Sequence, residues 1–205
     1  MVQDIEPKET KRLWAFEMWM TSPMPMVTIT KTFEVSHLVK TAKKRGMSFT
    51  ALMCFCIAKA ASQVEEFYMV PKGDKFLKYD SIGVDVIVKN AQGGINMCDV
   101  PYNGDLGEFM EAYHALSARA SSSSTNLFDE ERMIIGTSAL PNCEFDSVTN
   151  QYSAKWANPF LVWGRYRKGL FKTTLPVSLQ FHHVQMNGEE ACEFLHLLQE
   201  AINKV

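Results

Sequence analysis

The chain has 205 residues, with 21 basic and 23 acidic side chains, a formal charge of −2, 46% apolar residues and 21% charged ones. That length fits one domain, or two very small ones, and buries a substantial core, and that composition excludes a disordered chain. The near-neutral balance excludes general attraction to nucleic acid or to an anionic membrane, so any phosphate site must be local.

The longest nearly unbroken apolar stretch, residues 49–58, ends at Lys59, short of the roughly 18–20 residues of a membrane span. The polar start MVQDIEPKETKR is no signal peptide. A single cytoplasmic domain over residues 1–205 is therefore expected. Five cysteines (Cys54, Cys56, Cys98, Cys143, Cys192) are odd in number and scattered, which suits reduced, buried thiols. No pair has the spacing of a zinc or redox site, so no metal is expected.

In chain order, Leu13, Phe16 and Met20 recur at helical spacing and predict a helix over 9–20, ended by Pro23 and Pro25. The β-branched run Met26 to Val35 reads as a strand. Ser36 is expected to cap a short basic helix to Arg45, closed by Gly46, and Ser48 to cap a long buried helix to about Glu66. Strands are expected at Phe76 to Tyr79, Ile82 to Lys89 and Ile95 to Val100. Asp105 then opens an amphipathic helix to about Ala120, and Ser121 to Ser124 reads as a mobile loop. Further strands are expected at Met133 to Ser138, Phe145 to Tyr152, Phe160 to Arg167 and Leu170 to His182. A final helix starts at Gly188 with two glutamates in its positive first turn. Strands and helices intermingle without regular βα alternation. The pattern suits an α+β or mixed-sheet sandwich domain.

Three places can carry chemistry. His37, His114 and His196 lie on helices and read as surface or core-edge residues. His182 and His183 end a long strand and precede a turn into a helix, where side chains point into clefts; a solvated strand end is the plainer reading. Ser138 ends another strand before a Pro-containing turn. It has no nucleophile elbow, but a hydroxyl there can serve a developing oxyanion or simply the turn. The segment Trp163 to Gly169 interleaves aromatics with three cations and reads as a hairpin turning at Lys168-Gly169.

Together these pieces resemble the chloramphenicol acetyltransferase family. Its HHxxxDG followed by a helix is matched by His182-His183-Val-Gln-Met-Asn187-Gly188 and EEACEFLHLLQEA. Its SALPW stretch is matched by Ser138-Ala-Leu-Pro-Asn142, and its N-terminal arginine helix by Arg12-Leu-Trp-Ala-Phe16. The likeness runs in order along nearly the whole chain. It implies a chloramphenicol acetyltransferase-like α/β fold, an α+β two-layer sandwich with a large mixed sheet, assembled as a homotrimer with active sites between subunits. It also implies acetyl-CoA as co-substrate with no bound cofactor, and a small hydroxylated acceptor. By resemblance His183 is the catalytic base and Ser138 the oxyanion donor, with Arg165 and Tyr166 toward CoA and Trp19, Phe128 and Phe160 around the acceptor. Arg12, Asn187 and Gly188 would support the histidine turn. The family's Asp in that turn, partner of the arginine, is Asn187 here, and the tryptophan after SALP is Asn142. Both departures, with the Met- and Pro-rich stretch from Trp19 to Met26, leave the acceptor open. The rival readings are an acyltransferase core related to those of 2-oxoacid dehydrogenase complexes, and a non-catalytic ligand-binding trimer.

Overall fold

The structure is a computed structural model that describes residues 1–153 and 155–205. β1 (Val2–Ile5), which the sequence did not announce, opens the chain. After a 3-10 turn at Pro7–Glu9 the backbone extends at Thr10, and α1 begins only at Leu13 and runs to Trp19, shorter than expected. β2 is Met26–Glu34 and α2 is Ser36–Arg45. Gly46 stops α2 in the left-handed conformation (φ 65°), as a helix-ending glycine does. Ser36 does not cap this helix: its Oγ accepts the backbone N–H of Thr173 at 2.8 Å. Ser48 does cap α3 (Phe49–Ala61), accepting from Ala51 N–H. α3 stops short of Glu66 because Ser62 and Gln63 side chains bond back to the Lys59 carbonyl, and a 3-10 turn at Glu65–Tyr68 follows.

β3 (Met69–Lys72), also unforeseen, leads to β4 (Lys75–Tyr79), β5 (Ile82–Lys89) and β6 (Ile95–Pro101). Asp105 caps α4 (Leu106–Ser122) through Glu108 N–H. The serine patch is not a loop throughout: Ser121 and Ser122 close α4, where Ser121 Oγ donates to the Lys89 carbonyl, and Ser123, just past the helix, donates through Oγ to the Thr125 carbonyl. β7 (Met133–Ala139), β8 (Phe160–Trp163), β9 (Arg167–Lys168), β10 (Thr173–His182) and α5 (Gly188–Lys204) complete the chain.

Residues 145–152 form no strand. The reason lies on β10, whose buried Ser178 and Gln180 need partners on the face away from the helices. The passing backbone supplies them: Val148 N–H donates to Ser178 Oγ, and the Asn150 carbonyl accepts from Gln180 Nε2. The segment satisfies a polar face instead of extending a sheet.

The main sheet has seven strands in the order β2-β10-β8-β7-β5-β6, with β9 beside β10. β7 runs parallel to both β5 and β8, and the other pairings are antiparallel, so the sheet is mixed as expected. A small sheet, β1-β4-β3, stands apart. Alternate β10 residues Leu175, Val177, Leu179 and Phe181 join α3 and α5 in one buried cluster with Leu52, Phe55, Phe194 and Leu198. Among the described residues no helix is long and apolar enough to cross a membrane. All five cysteines are free; Cys54, Cys56 and Cys98 are buried, but Cys143 and Cys192 are exposed, against expectation.

Candidate active site

β10 delivers His182 opposite Met26, the first residue of β2. His183 then donates its backbone N–H to the Pro25 carbonyl at 2.8 Å. Arg12 secures the same turn from beneath: its Nη2 donates to the His183 carbonyl at 2.6 Å and its Nε to the Val184 carbonyl at 2.9 Å. Trp19, the last residue of α1, lies flat on the His183 imidazole, ring centroids 5.3 Å apart and planes within 6°. His183 Nδ1 is buried without a partner among the described residues, so Nε2 is the ring nitrogen able to meet a ligand. His182 faces inward, 2% exposed, and its Nδ1 accepts Val184 N–H at 3.1 Å. Burial, then the neighbouring His183, lowers its pKa to about 4, so the ring is neutral and braces the turn.

Arg12 does not reach Asn187. Its Nε and Nη2 donate to the two carbonyls, while Asn187 stands at the start of α5 and gives its own N–H to Glu190 Oε2 at 2.8 Å. The counter-charges toward Arg12 are Glu190 and Glu66, which partly offset the lowering of its pKa by burial. The arginine therefore supports the histidine turn through main-chain atoms, and the amide at 187 serves the helix entry. Arg12→Ala should cost about 2–3 kcal/mol by stripping two carbonyls of a charged donor, read as a lower melting temperature. Asn187→Asp should show little coupling to it in a double-mutant cycle.

Ser138 is the penultimate residue of β7. Its neighbour Thr137 points to the helices, donating to the Asp85 carbonyl and lying 3.8 Å from Cys54 Sγ, so Ser138 points to the opposite face. It aligns with Val162 on β8, which aligns with Ser178 on β10 and then Thr30 on β2. His182 lies four residues beyond Ser178 on β10. At the usual strand rise and spacing, Ser138 and the histidine pair are about 16 Å apart within one chain.

The other expected residues divide in the same way. Trp19 is with His183, whereas Phe160 is with Ser138's face, its ring filling the space over Gly136; a Cβ added there would lie 2.2 Å from Phe160 Cδ2. Gly136→Ala should therefore displace that ring and cost about 1–3 kcal/mol, measured by thermal melting. Phe128 is half-exposed and packs on Trp156, centroids 6.1 Å apart. Gly188 begins α5 in open space. Arg165 and Tyr166 line a cleft with Ser48, Phe49 and Thr50 at the start of α3. Arg165 donates to the carbonyls of Pro141 and Asn142, and the Tyr166 ring stands 5.3 Å from Phe49. The hairpin turns slightly later than expected, over residues 169–172: Lys168 still pairs with Thr173, Gly169 N–H bonds to the Lys172 carbonyl at 2.9 Å, and residues 164–166 leave the strand between β8 and β9.

Sequence reasoning missed Asp85 and Asp99, direct partners on β5 and β6, 3% and 8% exposed. The only signal was an acid flanked by valines (Val84, Val86) and another between Cys98 and Val100. Among the described residues no three metal-ligating side chains come together.

The sequence profile of the family described as chloramphenicol acetyltransferase matches residues 3–199. The chain is 26% identical to chloramphenicol acetyltransferase 3 of Escherichia coli over 86% of this chain and 85% of that one. It is 24% identical to the chloramphenicol acetyltransferase of Clostridium perfringens over 96% and 98%. Among solved structures a chloramphenicol acetyltransferase superposes with a TM-score of 0.86 at 21% identity, covering 98% of this chain and 100% of that chain. The truncated catalytic core of a 2-oxoacid dehydrogenase multienzyme complex from Thermoplasma acidophilum shares the fold less closely, with a TM-score of 0.73 at 14% identity over 94% and 93%. With motifs, fold and profile agreeing along nearly the whole length, the chain belongs to the chloramphenicol acetyltransferase family of acetyl-CoA-dependent O-acetyltransferases.

Proposed function

We propose that His183 of one subunit and Ser138 of a neighbouring copy form the catalytic site of a homotrimer that acetylates a hydroxyl of a small molecule. The observation that carries this reading is the separation within one chain: by strand spacing Ser138 lies about 16 Å from His182 at the end of β10, and His183 follows beyond that end. One subunit cannot apply both to the same carbonyl. A closed ring of identical head-to-tail contacts would bring one chain's histidine turn to the next chain's Ser138 face. Unburied apolar side chains flank both halves: Leu13, Trp14, Met18 and Met24 around the histidine turn, and Leu140 just beyond Ser138.

In the reaction His183 Nε2 takes the hydroxyl proton as the oxygen attacks the thioester carbonyl. Ser138 Oγ donates to the resulting oxyanion. Collapse breaks the C–S bond, and the CoA thiolate recovers the proton from His183, so atoms and charge balance without an acyl-enzyme. The Arg165–Tyr166 cleft, with Lys43 lining the adjoining hollow, offers cations and aromatic rings suited to a nucleotide and its phosphates. Acetyl-CoA incubated with chloramphenicol and a panel of hydroxylated compounds should release thiol with at least one acceptor. Release with none would leave the non-catalytic ligand-binding reading in its place.

A further inference from the structure

Asp85 and Asp99 face away from the helices, since Val84, Val86, Cys98 and Val100 beside them fill the core. Asp99 Oδ2 accepts Asp129 N–H at 2.7 Å. Both oxygens of Asp85 are buried and have no hydrogen-bond partner among the described residues. Among the described residues neither acid forms a salt bridge. Two adjacent buried carboxyls without a counter-charge oppose folding. Burial, then the charge of Asp99, pushes Asp85 up to about 8, and burial pushes Asp99 up to about 6.

The location of this pair gives it meaning. The parallel register of β5 on β7, from Ile82 with Met133 to Val84 with Ile135, carries Asp85 level with Gly136, two residues before Ser138. Gly136 has no side chain, and the Phe160 ring lies over it. Two acids, an aromatic face and the Ser138 hydroxyl thus follow one another on one side of the sheet. A neutral acceptor would need one hydrogen-bonding group here and would leave the second acid unanswered. An ammonium group answers both carboxyls and meets the ring face.

We propose that the acceptor is a hydroxyl compound bearing an ammonium group, held by Asp85 and Asp99 beside Ser138. This rests on the acetyl-transfer reading above. The test compares two acceptors with the same hydroxyls: chloramphenicol, which is neutral, and the N,N-dimethyl derivative of its deacylated base, which is cationic and cannot form a stable amide. The wild type should favour the cationic compound in kcat/KM. Asp85→Asn should cut that preference about tenfold to a hundredfold, the worth of a charge-assisted hydrogen bond. A wild-type preference for chloramphenicol, or a ratio unchanged by Asp85→Asn, overturns the proposal. Should Asp85→Asn fail to fold, Asp99→Asn carries the same comparison. Melting temperature with the cationic compound, without acetyl-CoA, is the second readout. An Asp85-dependent rise without thiol release upholds the cation site and refutes transfer to that acceptor; neither rise nor release refutes the site.

Discussion

Replacing His183 with alanine is expected to lower kcat by about 10²–10⁴-fold, the usual contribution of a general base, and to leave the melting temperature nearly unchanged. The turn is held by the His183 N–H to Pro25 and by its carbonyl to Arg12, main-chain atoms that alanine keeps. His182→Ala should behave in the opposite way. It removes the acceptor of Val184 N–H from a buried site, at a cost of about 1–3 kcal/mol in stability, with a smaller loss of rate. Initial rates by thiol release and thermal melts of both variants check the pair. Equal rate losses in the two would contradict the division of roles.

The second large effect belongs to Ser138. Ser138→Ala removes one hydroxyl from the end of β7 and should reduce kcat by about 10²–10³-fold, the loss seen when an oxyanion donor is deleted. Substrate binding should change little, because the donor is needed where charge develops. Val162 and the Ser178–Thr30 hydroxyl pair continue the same row, and among the described residues the Ser138 side chain makes no hydrogen bond whose loss would unsettle them. A large rise in KM with unchanged kcat would assign the hydroxyl to ground-state binding instead. Equilibrium melts separate either outcome from unfolding.

The mixed sheet, the central strands and the last helix were legible because their signals are local. Ile82–Lys89 alternates and is β-branched, Asp105 and Ser48 cap as their types do, and Gly46 stops α2. What failed depended on distant partners. Ser36 is drawn off its cap by Thr173, and residues 145–152 give up strand pairing to satisfy Ser178 and Gln180. β1 and β3 form only because β4 lies between them. In the site, the turn that holds His183 was readable through the family motif. The release of Asn187 from Arg12 was not, since it depends on two carbonyls and Glu190 being in reach. Asp85 escaped notice because an isolated acid in a strand says nothing of its face until the register places it beside Gly136.

Hybrid trimers put the shared site to the most direct test. His183→Ala and Ser138→Ala chains carrying different tags are co-expressed, and assemblies holding both tags are purified and assayed against each homotrimer. If every site joins the histidine of one copy to the serine of the next, each mixed ring of three holds one site with both groups intact, so the purified mixed assemblies should recover about a third of wild-type activity. Light scattering of the same sample should give the mass of three chains. Mixed assemblies no more active than the two parent variants, or a monomer at micromolar concentration, would contradict a site built between subunits.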